Sequence, residues 1–152
     1  MDKFYLCAIL AFMEIKFAQT DAEILECREV MLALRPHVPS EQFLSLVKEA
    51  MQTGYQLAYI PKAGKAVAAI GFRQLQFLFN GKHFYIDDLS TLPDHRGHGY
   101  GGQLLDFVAG LARERGFEVI TLDSGFHRHD AHRLYLNKGF QIASLHFSKK
   151  IT

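Results

Sequence analysis

The stretch DHRGHGYGGQLL, residues 94–105, decides how the rest of this sequence is interpreted. Four of its residues are glycine, at positions 97, 99, 101 and 102, and the apolar spacing that follows indicates a helix. Glycine loses more conformational entropy on folding than any other residue. Such a density of glycine therefore marks a backbone that bends sharply or that a ligand approaches closely. A simple strand-to-helix turn needs fewer glycines, so the stretch indicates a ligand-binding loop.

The composition is that of one globular domain. Of the 152 residues, 49% are hydrophobic and 22% are charged. A formal net charge of +1 argues against the basic surface that a nucleic-acid partner requires. The two cysteines, Cys7 and Cys27, lack the spacing of a disulfide or zinc framework, so we expect reduced thiols and a cytoplasmic location.

An apolar run, KFYLCAILAF, occupies residues 3–12. It is shorter than the about 20 residues that a membrane helix needs, and no clear cleavage site follows it. From Met13 the sequence has the pattern of a short strand and a capped helix. We therefore expect residues 1–12 to be an N-terminal extension or a strand that contacts a partner copy. We also expect a single domain over residues 13–152 and no membrane partner.

The remaining pattern alternates strands with helices. A capping box is formed by Thr20 and Glu23, Ser40 is expected to cap a second helix, and Asn80-Gly81 indicates a hairpin turn. The predicted elements are strand 14–18, a helix from Thr20 to the proline of RPHVPS, a helix from Ser40 to Gly54, strands 55–60, 66–79 and 82–92, helix 101–115, strand 118–123, helix 127–138 and strand 140–151. This order, β-α-α-β-β-β-α-β-α-β, predicts an α/β fold with a mixed sheet.

Three kinds of phosphate-binding loop can be compared with the glycine stretch. A P-loop is excluded because no Gly-Lys-Ser/Thr sequence is present. The dinucleotide pattern G-x-G-x-x-G is met by Gly97, Gly99 and Gly102, and Asp123 ends the next strand at a suitable distance. However, an antiparallel hairpin precedes the loop, and the 29 residues after Asp123 cannot complete a doubly wound sheet. The third pattern is R-x-x-G-x-G, formed by Arg96, Gly99 and Gly101.

This third pattern resembles the GCN5-related N-acetyltransferases, the GNAT family. The segment TLPDHRGHGYGGQLL is similar to that family's coenzyme A loop, and AHRLYLNKGF, residues 131–140, matches its A-x-x-x-Y-x-x-x-G-F motif. The resemblance covers roughly residues 13–150. It implies a GNAT-like fold with splayed central strands, acetyl-CoA as the acetyl donor and, because members usually pair, a homodimer.

The resemblance also implies where coenzyme A binds. Successive amides of a glycine loop at a helix N-terminus can hold a pyrophosphate, and an arginine adds charge-assisted hydrogen bonds. The strand before the loop would pair with the pantetheine arm. Arg128 stands where the family often has asparagine, and it is expected to contact coenzyme A by its charge instead. The expected cofactor-binding residues are Leu89, Ser90, Thr91, Arg96, Gly97, His98, Gly99, Tyr100, Gly101, Gly102 and Arg128.

Acetyl transfer needs an acid for the departing thiolate and a route for the proton of the acceptor ammonium. Tyr135 matches the family's catalytic tyrosine, and a phenol with a pKa of about 10 stays protonated at neutral pH. By the resemblance, Asp87 is the candidate base, and Asp88 is either a ligand of the acceptor amine or the alternative base. Strand alternation is expected to send the two side chains to opposite faces. A purely structural ion pair at the sheet surface is the alternative for each carboxylate.

The acceptor is expected to be the primary amine of a small molecule, attacked directly in a ternary complex. RHDAHRLY is similar to the aminoalkylphosphonate N-acetyltransferases, which suggests an amine that carries an anion, with Arg128, His132 or Arg133 as its ligand. A non-catalytic acyl-CoA sensor and a peptide N-acetyltransferase are the alternatives. His127, His129 and His132 lie close in sequence, but no second ligand group accompanies them, so no native metal site is expected.

Overall fold

One five-stranded sheet organises residues 14–152, the part of the chain that this computed structural model describes. The predicted extension over residues 1–12 lies outside the described residues. The strands are β1 (Lys16–Phe17), β2 (Tyr55–Lys62), β3 (Lys65–Phe77), β4 (Gly81–Thr91) and β5 (Ile120–Leu122). The helices are α1 (Asp21–Glu26), α2 (Arg28–Leu34), α3 (Phe43–Gln52), α4 (Tyr100–Glu114) and α5 (His129–Asn137).

The strands lie in the sheet in their order along the chain. The first four pair antiparallel, whereas β4 and β5 pair parallel and are connected through α4. Helices α1 to α3 pack on one face of the sheet, and α4 packs on the other, so two apolar layers sandwich β2, β3 and β4. The predicted mixed α/β fold is confirmed. No helix among residues 14–152 is long and apolar enough to cross a membrane.

The predicted capping box is confirmed, and two predictions about the first helices need correction. The Thr20 hydroxyl accepts a hydrogen bond from the Glu23 amide at 3.3 Å, and the Glu23 carboxylate accepts one from the Thr20 amide at 2.9 Å, as a capping box requires. The single helix expected after Thr20 is divided at Cys27, where the amide bonds to Ile24 three residues back and tightens the turn. Ser40 caps no helix, because it lies inside a 3₁₀ turn that precedes α3.

The β3–β4 hairpin turns over three residues rather than over Asn80-Gly81. Residues 78–80 form the turn, and Gly81, with φ of 68°, already pairs with Phe77. Gly81, the first residue after the turn, has a left-handed conformation that glycine adopts without strain. The hairpin is thus confirmed, with its turn shifted toward the N-terminus.

The strand predicted over residues 140–151 is wrong, since the structure shows no strand after Phe140. Phe140 packs against the core layer on the α4 face, and the residues that follow it are exposed. The edge strand next to this segment, β5, contains only three residues. It therefore offers few ladder hydrogen bonds to a further strand.

The β2–β3 turn stores backbone strain at Ala63. Ala63 and Gly64 form the two-residue turn, with φ of 50° and 78°. A left-handed conformation costs an L-residue roughly 1–2 kcal/mol, and asparagine tolerates it best.

Ala63→Asn is therefore expected to stabilise the protein by about 0.5–1 kcal/mol and to raise its Tm by about 2–4 °C. Thermal unfolding followed by circular dichroism measures the change. Ala63→Val is the matched control, and its β-branched side chain should lower the Tm at the same position. Equal melting temperatures for all three proteins would contradict the strained turn.

Candidate active site

The pairing between β4 and β5 stops early and leaves part of β4 open. Three residue pairs join the strands: Phe84–Ile120, Tyr85–Thr121 and Ile86–Leu122. On the other side, β4 pairs with β3 as far as Thr91. From residue 87 to residue 91, the edge of β4 that faces β5 has no ladder partner in the described part of the chain. The two strands therefore splay, as the resemblance implied.

A β-bulge lies where the splaying begins. Gly71 of β3 pairs with Asp88, and its neighbour Phe72 pairs with Ile86, so Asp87 is an extra residue in β4. A bulge interrupts the alternation of side chains along a strand. Asp87 and Asp88 consequently bind groups on the same face of the sheet, the face that α1 to α3 cover. The expectation that they point to opposite faces is wrong.

Each of these two carboxylates is bound by an arginine. Arg73 donates from Nε to both oxygens of Asp87 and from its terminal nitrogen to Oδ2 at 2.6 Å. Arg35 donates from Nε to Oδ1 of Asp88 at 2.8 Å, and the Tyr55 hydroxyl donates to Oδ2 at 2.9 Å. The Arg73 guanidinium also lies over the Tyr55 ring, 5.5 Å from its centroid. The carboxylates and their partners thus form one connected network.

Burial shifts the proton affinities within this network. It raises the pKa of the Asp87 carboxyl above its ordinary value, and this effect outweighs the lowering by the Arg73 ion pair. Burial beside Asp88 also raises the pKa of the Tyr55 hydroxyl, which therefore stays protonated and donates to the carboxylate.

A pocket of about 110 Å³ lies between the open edge of β4, the end of β5 and α5. This volume holds several water molecules, so a small group fits within it. The pocket brings Tyr135, Asp87 and Asp88 together with Arg128, whereas Ser90 and the glycine loop do not line it. Its lining residues are Leu34, Arg35, Ile86, Asp87, Asp88, Leu89, Leu122, Asp123, Ser124, Gly125, Arg128, Ala131 and Tyr135.

Tyr135 enters this pocket from α5 and is half-buried. Its ring packs against Phe140, with centroids 5.8 Å apart. Burial raises the pKa of its hydroxyl, and the nearby Arg128 opposes that shift. The phenol is therefore protonated at neutral pH and can donate a proton to a group in the pocket.

The glycine loop presents a row of free amides. None of the main-chain N–H groups of residues 97–102 donates a hydrogen bond within residues 14–152. Gly97 and Gly99 both have φ of 79°, and a Cβ built on Gly97 would meet no atom within 4 Å. This concave row at the start of α4 is suited to an anion such as a pyrophosphate.

The last two glycines of the loop, Gly101 and Gly102, lie beside the side chains of Leu134 and Lys138. A Cβ on Gly101 would lie 3.1 Å from the Leu134 side chain, and one on Gly102 would lie 2.9 Å from Cε of Lys138. Gly101 therefore leaves room for the Leu134 side chain of α5, whereas the flexible Lys138 side chain could move away from a Cβ on Gly102. The Lys138 ammonium also binds Asp106 of α4 at 2.6 Å.

The other predicted loop residues differ in what they offer a ligand. The Tyr100 side chain is buried in the core, so only its amide faces the loop. His98 stacks on Tyr100, with ring centroids 5.7 Å apart. Arg96 is exposed, and its Nε donates to the Thr91 carbonyl at 3.4 Å. The Ser90 hydroxyl is engaged with the Val30 carbonyl at 2.7 Å, so only its backbone is available to a ligand.

The sequence did not reveal Arg35, Arg73 or Tyr55, although they hold the carboxylates of the site. Gly71, a lone glycine within a strand, is the signal that could have found Tyr55, because a Cβ there would collide with the Tyr55 hydroxyl. Nothing in the sequence indicates that Arg35, 53 residues before Asp88, contacts it.

The histidines near α5 bring no ligand set together. The rings of His129 and His132 are 6.2 Å apart, and the imidazole of His132 contacts the Gly125 carbonyl at 3.0 Å. Among residues 14–152, no group of three or more histidine, cysteine or acidic side chains is placed to hold a metal ion.

Comparison with known proteins agrees with this arrangement. The sequence profile of the acetyltransferase (GNAT) family matches residues 21–140. The chain belongs to the GNAT family. It is 31% identical to the uncharacterized N-acetyltransferase YhdJ of Bacillus subtilis over 91% of this chain and 99% of that protein. It is also 38% identical to the aminoalkylphosphonate N-acetyltransferase of Salmonella typhimurium over 43% of each chain.

A solved structure extends the comparison to the fold. The aminoglycoside N-acetyltransferase AAC(6')-Iy, in complex with a bisubstrate analogue that contains coenzyme A, superimposes with a TM-score of 0.79. The match covers 93% of this chain and 100% of that chain at 18% identity. This GNAT chain is an N-acetyltransferase, and its family uses acyl-coenzyme A as the donor.

The role of the glycine loop in coenzyme A binding can be tested by substituting one glycine with alanine. Gly97→Ala places a Cβ in the open space beside the free amides and should weaken coenzyme A binding about tenfold, since one charge-assisted hydrogen bond contributes roughly 1.5 kcal/mol. Isothermal titration calorimetry with coenzyme A measures the effect. Gly116→Ala, at a glycine with the same left-handed conformation and no atom near its Cβ, is the matched control and should leave affinity unchanged. Equal affinities for both variants would contradict the role of the loop.

Proposed function

We propose that this GNAT chain transfers an acetyl group from acetyl-CoA to the primary amine of a small molecule by direct attack in a ternary complex. The observation that carries the proposal is the single pocket that holds the Tyr135 phenol and two carboxylates beside the open edge of β4. The small volume of the pocket and the similarity to an aminoalkylphosphonate N-acetyltransferase support a small acceptor.

Acetyl-CoA would bind along the splayed strands. The free amides of residues 97–102, together with Arg96, hold the pyrophosphate. The pantetheine arm pairs with the backbone of residues 89–91, as an added strand pairs with an open sheet edge. This path leads the thioester into the pocket, where the Arg128 guanidinium lies beside Tyr135. Donor and acceptor then meet between β4, β5 and α5.

The acceptor nitrogen loses two protons in the proposed reaction. The acceptor ammonium loses one proton through a water on Asp87 to solvent, and the neutral amine attacks the thioester carbon. Oδ1 of Asp87 accepts one bond from Arg73 and retains a lone pair for that water. The C–S bond then breaks, and Tyr135 protonates the thiolate. The second proton of the amine restores the phenol by way of solvent, leaving an amide and free coenzyme A.

Asp88, the residue after the bulge, supports this chemistry through its charge and its hydrogen bonds. Its carboxylate holds Arg35 and the Tyr55 hydroxyl in place and adds negative charge that attracts the ammonium. Because burial raises the pKa of the Asp87 carboxyl toward the range of a general base, we propose Asp87 as the base and Asp88 as the acceptor-side ligand.

Removing the Tyr135 hydroxyl should slow the chemical step. Tyr135→Phe is expected to lower kcat about 100-fold or more, the range of general acid catalysis, while the KM for acetyl-CoA stays within twofold. Steady-state kinetics with a thiol reagent measures both constants. Tyr59→Phe, at a core tyrosine of β2 that does not line the pocket, is the matched control. An unchanged kcat across the pH range would contradict the acid role.

The raised pKa of Asp87 predicts how kcat/KM depends on pH. A base must be deprotonated to act, so kcat/KM should fall as the pH drops through a pKa above that of an ordinary aspartate. Asp87→Asn should abolish this fall of kcat/KM at low pH and should lower the maximum of kcat/KM, whereas Asp88→Asn should keep the fall. If the fall survives in Asp87→Asn, another group is the base.

A panel of amines tests the function as a whole. The expected result is turnover of small primary amines with release of free thiol. Tight acetyl-CoA binding without turnover of any amine or peptide would favour a sensor, and turnover of peptides alone would favour a peptide N-acetyltransferase.

A further inference from the structure

Arg73 of β3 holds the Asp87 carboxylate from behind the pocket. Its Nε donates to Oδ1 at 3.1 Å and to Oδ2 at 2.9 Å, and its Nη2 donates to Oδ2 at 2.6 Å. The two side chains are mostly shielded, with 24% of Arg73 and 20% of Asp87 exposed. Arg73 is not among the described residues that line the pocket. Any effect of Arg73 on the reaction therefore passes through Asp87.

The Arg73 guanidinium is itself held in place by its neighbours. Tyr55 of β2 lies directly opposite Arg73 in the β2–β3 ladder, and the guanidinium carbon lies 5.5 Å from the centroid of the Tyr55 ring. A cation over the face of an aromatic ring is attracted by the ring's quadrupole. Nη1 of Arg73 also donates to the Thr53 hydroxyl at 3.4 Å. These contacts orient Arg73 so that its Nε and Nη2 meet Asp87.

Gly71 allows Tyr55 to reach across β3 to the bulge. This glycine pairs with Leu57 of β2 on one side and with Asp88 of β4 on the other. A Cβ on Gly71 would collide with the Tyr55 hydroxyl, which donates to Oδ2 of Asp88 at 2.9 Å. The Tyr55 side chain thus crosses over Gly71 and connects the base of the Arg73 guanidinium with Asp88. Side chains from β2 and β3 therefore hold both carboxylates at the bulge.

The charges around Asp87 have both signs, and Arg73 makes the closest contact with its carboxylate. Asp88 adds negative charge from the same strand, and Arg35 adds positive charge from the end of α2, where its Nη2 donates to the Asp87 carbonyl at 3.0 Å. Burial raises the pKa of the Asp87 carboxyl, whereas the hydrogen bonds and the charge of Arg73 lower it. The other titratable or charged side chains around Asp87 are Tyr55, Tyr85, Asp123, Arg128 and Tyr135.

We propose that Arg73 is a positioning residue for the base: it fixes the Asp87 carboxylate and keeps it ionised as the pH falls. This inference rests on the proposed function, because it takes Asp87 as the group that receives the proton of the acceptor amine. A guanidinium beside a carboxyl favours the ionised form over the protonated form. The base is therefore available at a lower pH than burial alone would allow, and Arg73 sets the acid end of the pH range of the reaction.

The direction of the change in Asp87 separates this role from a purely structural one. If the Arg73 charge is removed while Asp87 stays buried, the carboxylate loses its counter-charge and its pKa should rise. If Arg73 served only to pack the sheet, its loss would admit water around Asp87. Hydration favours the charged form, so the pKa would then fall.

Carbon-13 NMR of protein labelled at the aspartate carboxyl carbons measures the Asp87 pKa without substrate, and Asp87→Asn identifies the resonance. Arg73→Gln should raise this pKa by about one unit or more. With a small primary amine that the protein acetylates, the fall of kcat/KM at low pH should move to higher pH by the same amount. Arg73→Lys keeps the charge and should hold the pKa within about half a unit of that in the unmodified protein.

Arg113→Gln, at an exposed arginine in the last turn of α4, is the control and should leave the Asp87 pKa unchanged. An unchanged or lowered pKa in Arg73→Gln would overturn the role of Arg73, and so would an equal rise in Arg73→Lys. If Arg73→Gln does not fold, Arg73→Met, which keeps an apolar chain beside the Tyr55 ring, replaces it under the same criteria. The NMR titration needs no turnover, so its outcome is distinct from a failure of the proposed function, which is a fall of kcat/KM that survives Asp87→Asn.

Discussion

The parallel ladder between β4 and β5 ends after three residue pairs, and the site depends on that interruption. A complete ladder would bury the edge of β4 in main-chain hydrogen bonds and leave no space between the strands. The bulge at Asp87 lies at the same point and increases the local twist. It also brings two successive carboxylates to one face, where Arg35 and Arg73 balance their charge. The open strand edge and the acidic wall of the pocket thus begin at one residue.

The glycine loop and the pocket are connected through the contact of α4 with α5. Gly101 leaves room for the Leu134 side chain of α5, and Lys138 of the same segment binds Asp106 of α4. Because Tyr135 lies on α5, these contacts link the position of the phenol to the start of α4. Gly101 therefore contributes to the glycine loop and to the packing of the helix that carries Tyr135.

The parts of the fold that local chemistry specifies could be predicted from the sequence. The Thr20 capping box, the glycine loop and the apolar stripe of α4 are local patterns, and the structure contains each of them. The bulge at Asp87 could not be predicted, because it depends on the pairing of Gly71 and Phe72 in another strand. The strand predicted over residues 140–151 failed for a similar reason, since a strand exists only where an edge can pair with it.

In the site, too, residues in local motifs could be predicted from the sequence, whereas contacts between distant segments could not. The pocket contains Tyr135, Asp87, Asp88, Leu89 and Arg128, all of which were candidates from the sequence. Arg35, Arg73 and Tyr55 were not, because their contacts with the carboxylates join distant segments. Asp123 entered the sequence analysis only as the ribose ligand of a dinucleotide fold that the chain does not form. In the structure Asp123 lines the pocket, where it accepts a hydrogen bond from the Tyr85 hydroxyl and contacts Nδ1 of His146.

Hydrogen exchange, compared with and without coenzyme A, tests the central claim most directly. If the donor lies between the splayed strands, the amides of residues 97–102 and of residues 87–91 should exchange more slowly in the complex. The amides of α3, on the far side of the sheet, should exchange at the same rate in both states. Protection confined to other segments, or no protection at all at saturating coenzyme A, would contradict this account of the site.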